Sequence, residues 1–177
     1  VSDGFFSNPV AETKITRIEN GFDPDDLDNI SFHQTTNDKF TIRYIGSLKT
    51  NQFFKNFLLI LKELGEKQEF KDHMRLELTG FIDPSIMDFI QREEIALEIK
   101  TESYAPHQEA VKKMAEADLL ILAIGKGQLS KNVISTKIFE YLMVRKPILA
   151  FGHPDGAANK ILKETHAGKM FSYDAYE

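Results

Sequence analysis

The chain has 177 residues, 42% hydrophobic and 28% charged, which fits a single globular domain and excludes bulk disorder. Its 22 basic and 27 acidic residues leave a net charge of −5, which argues against a nucleic-acid partner, because such a partner requires a clustered basic face. Cysteine is absent, which removes disulfides and thiolate metal sites, and no apolar run approaches the roughly 20 residues of a bilayer span.

The first residues, 1–13, are punctuated by glycine, proline and serine and read as irregular. A short strand is predicted over 15–18, then a turn at Asn20-Gly21. Residues 23–38 are acidic and polar, with a helical start at Pro24. A strand follows over 40–45, rich in β-branched and aromatic residues. Apolar residues at 53, 54, 57, 58, 61 and 64 give the helical period over 51–64. A strand over 74–78, a helix over 84–91 with proline in its first turn, and a strand over 96–99 come next. The second half repeats the rhythm. A helix is predicted over 107–117 and a strand over 119–124, whose unbroken apolar run requires cover on both faces. A helix over 136–143, a strand over 147–151, a helix over 156–166 and a strand over 169–172 complete the chain. This alternation of about six strands with helices predicts an α/β fold, a doubly wound parallel six-stranded sheet of Rossmann-like type.

In such sheets a ligand sits beyond the carboxyl ends of the strands, where the strand order reverses. For six strands in the common order, that crevice lies between the first strand and the fourth. The first ends in Gly46-Ser47-Leu48-Lys49, the fourth in Gly125-Lys126-Gly127, with a long loop on to Ser135-Thr136-Lys137. Glycine lets backbone approach a ligand, free amides at a helix start favour an anion, and lysine adds a point charge. Neither GxGxxG nor GxxxxGK[ST] is present, and both glycine segments also fit plain strand exits. Glu140, one turn into the helix after the fourth strand, either pairs with Lys137 on a solvated face or faces the crevice. A carboxylate there can accept two hydrogen bonds at once, as the 2′- and 3′-hydroxyls of a ribose require.

The segment STKIFEYL (135–142) followed by RKPILA (145–150) resembles the KxFEY…xxPxLA segment of GT-B glycosyltransferases, in particular the retaining family four. ITRIENGFD (15–23), YIGSL (44–48), YAPH (104–107) with ADLL (117–120), and 155–168 resemble further segments of its C-terminal, nucleotide-sugar-binding domain, in the same order. The resemblance covers about residues 13–172. It implies a hexosyltransferase that moves a sugar from a nucleotide diphosphate, with UDP the expected nucleotide, to an acceptor glycan or lipid-linked sugar. Bacterial surface-polysaccharide synthesis is the role it suggests. The site residues follow by position. Glu140 would hold the ribose, and the amides of Ser135 and Thr136 would meet the diphosphate. Gly46 and Ser47 would let the first loop approach, and Lys49 and Lys137 would supply charge. Tyr104 and Ala105 would recognise the base, and Gly125, Lys126, Gly127 and Asn132 would face the donor sugar. No cofactor is implied, since the nucleotide sugar is the substrate, and no metal, since helix dipole, amides and lysine can stabilise the leaving diphosphate.

Residues 1–12 are expected to be the remnant of an acceptor-binding N-terminal domain and its linker, and 13–177 the donor domain. An isolated donor domain is expected to bind nucleotide and to transfer little by itself. The location implied is cytoplasmic, peripheral at the inner face of the membrane through the other domain. Three features depart from the family. Asn132 stands where its Glu-x7-Glu pattern has the first glutamate. The first loop offers Lys49, with Lys55 further on, in place of an Arg and Lys pair. The acceptor domain is expected to lie outside these 177 residues. The two Asp-x-Asp spacings, 23–25 and 26–28, read as helix-start residues. His107 reads as a cap or surface group, His153 as ambiguous. Three other readings remain open: a nucleotide-sugar epimerase of the same fold, a non-catalytic binding module such as a receiver domain, and, given Asn132 and the thinly basic first loop, a degenerate transferase kept as an assembly partner. Strand ends at Gly46 and Lys100 count against a receiver, which needs aspartates there.

Overall fold

The computed structural model describes residues 20–27 and 37–175. The strand expected over 15–18, and Asp28, lie outside them. Among the described residues, six strands form one sheet: β1 (Phe40–Ile45), β2 (Met74–Thr79), β3 (Glu98–Glu102), β4 (Leu119–Ala123), β5 (Ile148–Phe151) and β6 (Gly168–Phe171). All pair in parallel, in the order β3-β2-β1-β4-β5-β6. The order reverses between β1 and β4, as the sequence predicts.

Among the described residues, six helices cover the sheet: α1 (Lys55–Gly65), α2 (Gln68–His73), α3 (Pro84–Arg92), α4 (His107–Ala115), α5 (Lys137–Met143) and α6 (Ala157–Thr165). Two cores result, one on each face. Leu58, Leu61, Ile86 and Phe89 of α1 and α3 pack on Ile42, Leu76 and Ile121. Val111, Met114, Ile138 and Leu162 of α4 to α6 pack on Leu120, Leu122 and Ile148. Strand β4 shows why its sequence is apolar throughout. Leu120, Leu122 and Ile124 enter one core, Ile121 and Ala123 the other. The full burial of one leucine there stabilises the fold by about 1.5–3 kcal/mol.

Three local expectations are corrected. The helix predicted from 51 begins only at Lys55, after a separate 3-10 turn, Thr50–Gln52. Tertiary bonds hold that turn: Gln52 Nε2 donates to Ala123 O (3.0 Å), and Lys126 N donates to Asn51 O (2.9 Å). Helix α2 was not predicted, because it buries none of its residues and so carries no apolar period. The third strand runs over Glu98–Glu102, not 96–99, and ends in Glu102, not Lys100. It is an edge strand, exposed from Lys100 on, and charge on an edge guards it against pairing with other chains. Gly46 at the end of β1 and the strand order, which is not the 2-1-3-4-5 of flavodoxin-like folds, count against a receiver domain.

Candidate nucleotide-binding crevice

At the carboxyl end of β1 the chain turns at Gly46, whose φ is 125°. Gly46 N donates to Thr79 O (2.7 Å), so β1 and β2 stay joined here while β1 and β4 part. The next loop leans on β2 through Leu48, which pairs with Ile82, and then swings back across the end of β4 through Asn51 and Gln52. Gly80, also at positive φ (116°), touches the Gly46 backbone so closely that a Cβ would strike its carbonyl. Two glycines thus let two strand ends meet where the crevice opens.

Lys137 fills the space above Gly46. A Cβ on Gly46 would fall on the lysine Cε and Nζ. The ammonium also lies 5.1 Å from the centroid of the Tyr44 ring, a cation–π contact. Burial lowers the Lys137 pKa, partly offset by the charge of Glu140. Lys137 and Glu140 form no contact ion pair, so of the two alternatives for Glu140, pairing with Lys137 on a solvated face is not what the chain adopts. The lysine turns inward over β1, and Glu140 is felt at His107 as well. Ser135 and Thr136 precede α5, where the first amides have no helical acceptor. Thr136 already has helical backbone and makes no side-chain cap.

The floor beneath is aromatic. Tyr44, Phe54, Phe151 and Tyr173 follow one another at ring separations of 5.9, 5.4 and 6.1 Å. Their phenols are spent on main-chain carbonyls: Tyr44 donates to Ser47 O (2.7 Å) and Tyr173 to Ile124 O (2.7 Å). Tyr141 of α5 donates likewise to Ile121 O (3.2 Å). Burial pushes all three phenols well above the ordinary tyrosine range. They are structural groups that fix the strand ends, not acids or bases. Lys126 stands over the Tyr173 ring at 4.8 Å, so two lysines flank the aromatic floor.

The loop after β4 is anchored on both sides. Gly125 is crowded by Asn51 Nδ2 (2.9 Å) and Ser130 Oγ (3.0 Å) from where its Cβ would stand, so it serves close approach; at Gly127 a Cβ would meet only Ser130 Oγ, at an ordinary 3.9 Å. His153 Nε2 contacts Gly127 O at 3.1 Å, which assigns the ambiguous His153 to loop bracing. A short turn, Gln128–Asn132, holds Lys131 against Asp155, and the lysine keeps the Asp155 carboxyl below its usual range. Asn132 ends that turn exposed.

Sequence reasoning placed Gly46, Lys137, Glu140 and Lys126 at one end of the sheet, and the structure gathers them there. Ser47 is exposed at the mouth. Tyr104 protrudes at 73% exposure from the loop after β3, while Ala105 packs beside the α4–α6 core. Lys49 is exposed at the start of the 3-10 turn, and Lys55 lies over Phe89 (5.5 Å) on the α1–α3 side; neither reaches the Gly46–Lys137 contact. Asp23 accepts from Asp25 N (3.1 Å), a turn-starting role. Asp26 meets His107 Nε2 at 2.9 Å, which raises the histidine pKa; His107 is a surface group, and Pro106 holds the cap position. The tyrosine floor was missed. Its signal was there, in aromatic residues at the end of β1 and just past β6.

Neither a protein-family profile nor any curated protein matches the sequence. Solved structures do match in fold. A glycosyltransferase involved in lipopolysaccharide biosynthesis, WaaG, superposes with a TM-score of 0.60 at 13% identity, over 76% of this chain and 34% of its own. An alpha,alpha-trehalose-phosphate synthase (UDP-forming) from Burkholderia vietnamiensis gives 0.59 at 7% identity, over 78% and 34%. This chain therefore spans about a third of the length of those GT-B proteins. It has an α/β Rossmann-like fold that occurs within GT-B glycosyltransferases.

Proposed function

We propose that the chain is the donor-binding domain of a GT-B glycosyltransferase and that the β1–β4 crevice holds a nucleoside diphosphate sugar. The observation that carries this reading is Lys137, a half-buried ammonium poised over the Gly46 backbone at the reversal point of the sheet. An amine that has lost part of its hydration there gains most from a phosphate arriving beside it. The amides of Ser135 and Thr136 would complete the diphosphate cradle. Glu140 would accept the ribose hydroxyls, and the loop at Tyr104 and Ala105 would meet the base. Lys126, Gly127 and Asn132 would border the sugar, and Lys126 would take the place of the basic pair that the first loop lacks. As the bond from sugar to diphosphate breaks, Lys137 and the amides would stabilise the charge growing on the leaving group.

In the whole protein a second domain would bring the acceptor, a glycan or lipid-linked sugar. UDP as the nucleotide, polysaccharide synthesis as the role and the inner face of the membrane as the place belong to the same proposal. Among the described residues, no helix is long and apolar enough to cross a membrane. Calorimetric titration with UDP, GDP and ADP tests the reading. One nucleotide should bind, and Glu140→Ala should weaken it by about 1.5 kcal/mol or more, the scale of a charged hydrogen bond. Equal binding by parent and Glu140→Ala would remove Glu140 from the site.

A further inference from the structure

At the opposite end of the sheet, the segments that lead into β5 and β6 enclose a cleft of about 550 Å3. Arg145, Lys146 and His166 line it, together with the apolar Leu142, Pro147 and Ala167. Arg145 follows α5 and His166 follows α6. Both have left-handed backbone, with φ of 55° and 53°. Glycine is the usual residue at that position after a helix, because a Cβ is disfavoured there.

None of the three basic side chains meets a carboxylate or any other acceptor among the described residues. Several cations elsewhere are paired: Arg43 and Arg75 with Glu77, Lys62 with Glu93, Lys131 with Asp155. In a chain of net charge −5, this cleft therefore gathers basic groups without a counterion. The dipoles of α5 and α6 favour a cation near their last turns. They do not require it at the one position where a side chain is disfavoured. Glu94 takes the same conformation after α3 (φ 48°), so the backbone alone is not the signal. The signal is that two such residues converge on one cleft with a lysine between them.

We propose that this cleft binds a phosphate group, presented by a soluble phosphate ester or by an anionic lipid headgroup. The guanidinium of Arg145 would take two phosphate oxygens in a fork, Lys146 would add a point charge, and His166 a ring N–H. Leu142, Pro147 and Ala167 would wall the carbon part of the ligand. The volume lies within the range of small-molecule sites, and the Thr165 hydroxyl is already engaged by Ile161 O (2.8 Å). This site is separate from the crevice and does not depend on the function proposed for it.

The test is a titration of the whole chain with inorganic phosphate, read by residue-resolved amide shifts. Shifts are expected at 145–147 and 165–167. The double variant Arg145→Gly, His166→Gly should bind phosphate at least about tenfold more weakly, because the forked contact is gone. It should melt at or above the parent temperature, because glycine relieves both left-handed positions. Glu94→Gly gives the same relief outside the cleft and should leave phosphate binding unchanged. Sedimentation with phosphatidylglycerol vesicles, against phosphatidylcholine vesicles, identifies the source. Binding to the anionic vesicles that the double variant loses means a lipid headgroup; phosphate shifts without vesicle binding mean a soluble ester. Shifts confined to Gly46 and Lys137, no shift at all, or a double variant that binds as tightly as the parent would overturn the proposal.

Discussion

The two ends of this sheet solve the same backbone problem with opposite residues. At the carboxyl end the chain bends through positive φ at Gly46 and Gly80, and nothing larger than hydrogen fits between them. At the amino end it bends through positive φ at Arg145 and His166, which carry large basic side chains. The carboxyl end uses glycine to bring main chain and the Lys137 ammonium together. The amino end retains a side chain at a steric cost of about 1–2 kcal/mol per residue. Glycine marks where backbone must approach; a bulky residue in the same region marks where a side chain is kept.

The sharpest way to break that contrast is Gly80→Ala. The new Cβ would meet the Gly46 carbonyl, a main-chain atom that cannot swing away, at a φ that alanine avoids. A loss of about 2–4 kcal/mol is expected in urea unfolding. Gly46→Ala should cost less stability, since the obstructing atoms are the flexible end of Lys137, but should weaken nucleotide binding by expelling that ammonium. Equal losses for the two variants would remove the distinction drawn between them.

Lys137→Met comes next. Nucleotide affinity should fall roughly tenfold, about 1.4 kcal/mol, while the fold holds. Its pH signature has a definite sign. The folded-state pKa of Lys137 lies below the ordinary lysine value because burial penalises the charged form. The unfolded chain therefore binds more protons between the lowered value and the ordinary one, and stability should rise with pH across that alkaline window. The rise should vanish in Lys137→Met, as followed by denaturation at stepped pH. Arg145→Gly should act the other way on stability, with a gain of about 0.5 kcal/mol after the entropy of glycine is subtracted.

The smallest effect should come from Asp26→Asn. Asp26 raises the pKa of His107, so their contact contributes stability below the ordinary histidine value and loses it as pH rises through the raised one. The pair is exposed, so the shift should be slight and salt-sensitive. An unchanged pH profile in Asp26→Asn would mean that the Pro24–Leu27 turn is held against α4 by other contacts, such as Leu27 in the core.

The parallel sheet was legible because β4 and β5 are apolar on both faces and α1 and α3 to α6 keep a clear apolar stripe. Helix α2 was not legible, because its stabilising contacts are polar and local, such as Gln68 to Asp72 at 2.6 Å. Strand β3 was misplaced because its charged residues resemble a loop until its pairing with β2 is known. In the crevice, Glu140 and Gly46 could be singled out from a motif and a strand exit. The inward turn of Lys137 could not, since it depends on the missing Cβ of Gly46 and the ring of Tyr44. The basic cleft at the other end was not legible either. Arg145 and His166 are 21 positions apart in sequence, and only the fold brings them to one cavity.

Amide shifts recorded while UDP is added to the whole chain test the central claim most directly. Movement at Gly46, Lys126, Lys137 and Glu140 is the result expected of a nucleotide seated in the β1–β4 crevice, whether or not 145–147 and 165–167 also respond to its phosphates. Movement that leaves Gly46, Lys137 and Glu140 untouched, or a folded chain whose spectrum ignores UDP, GDP and ADP alike, would contradict it.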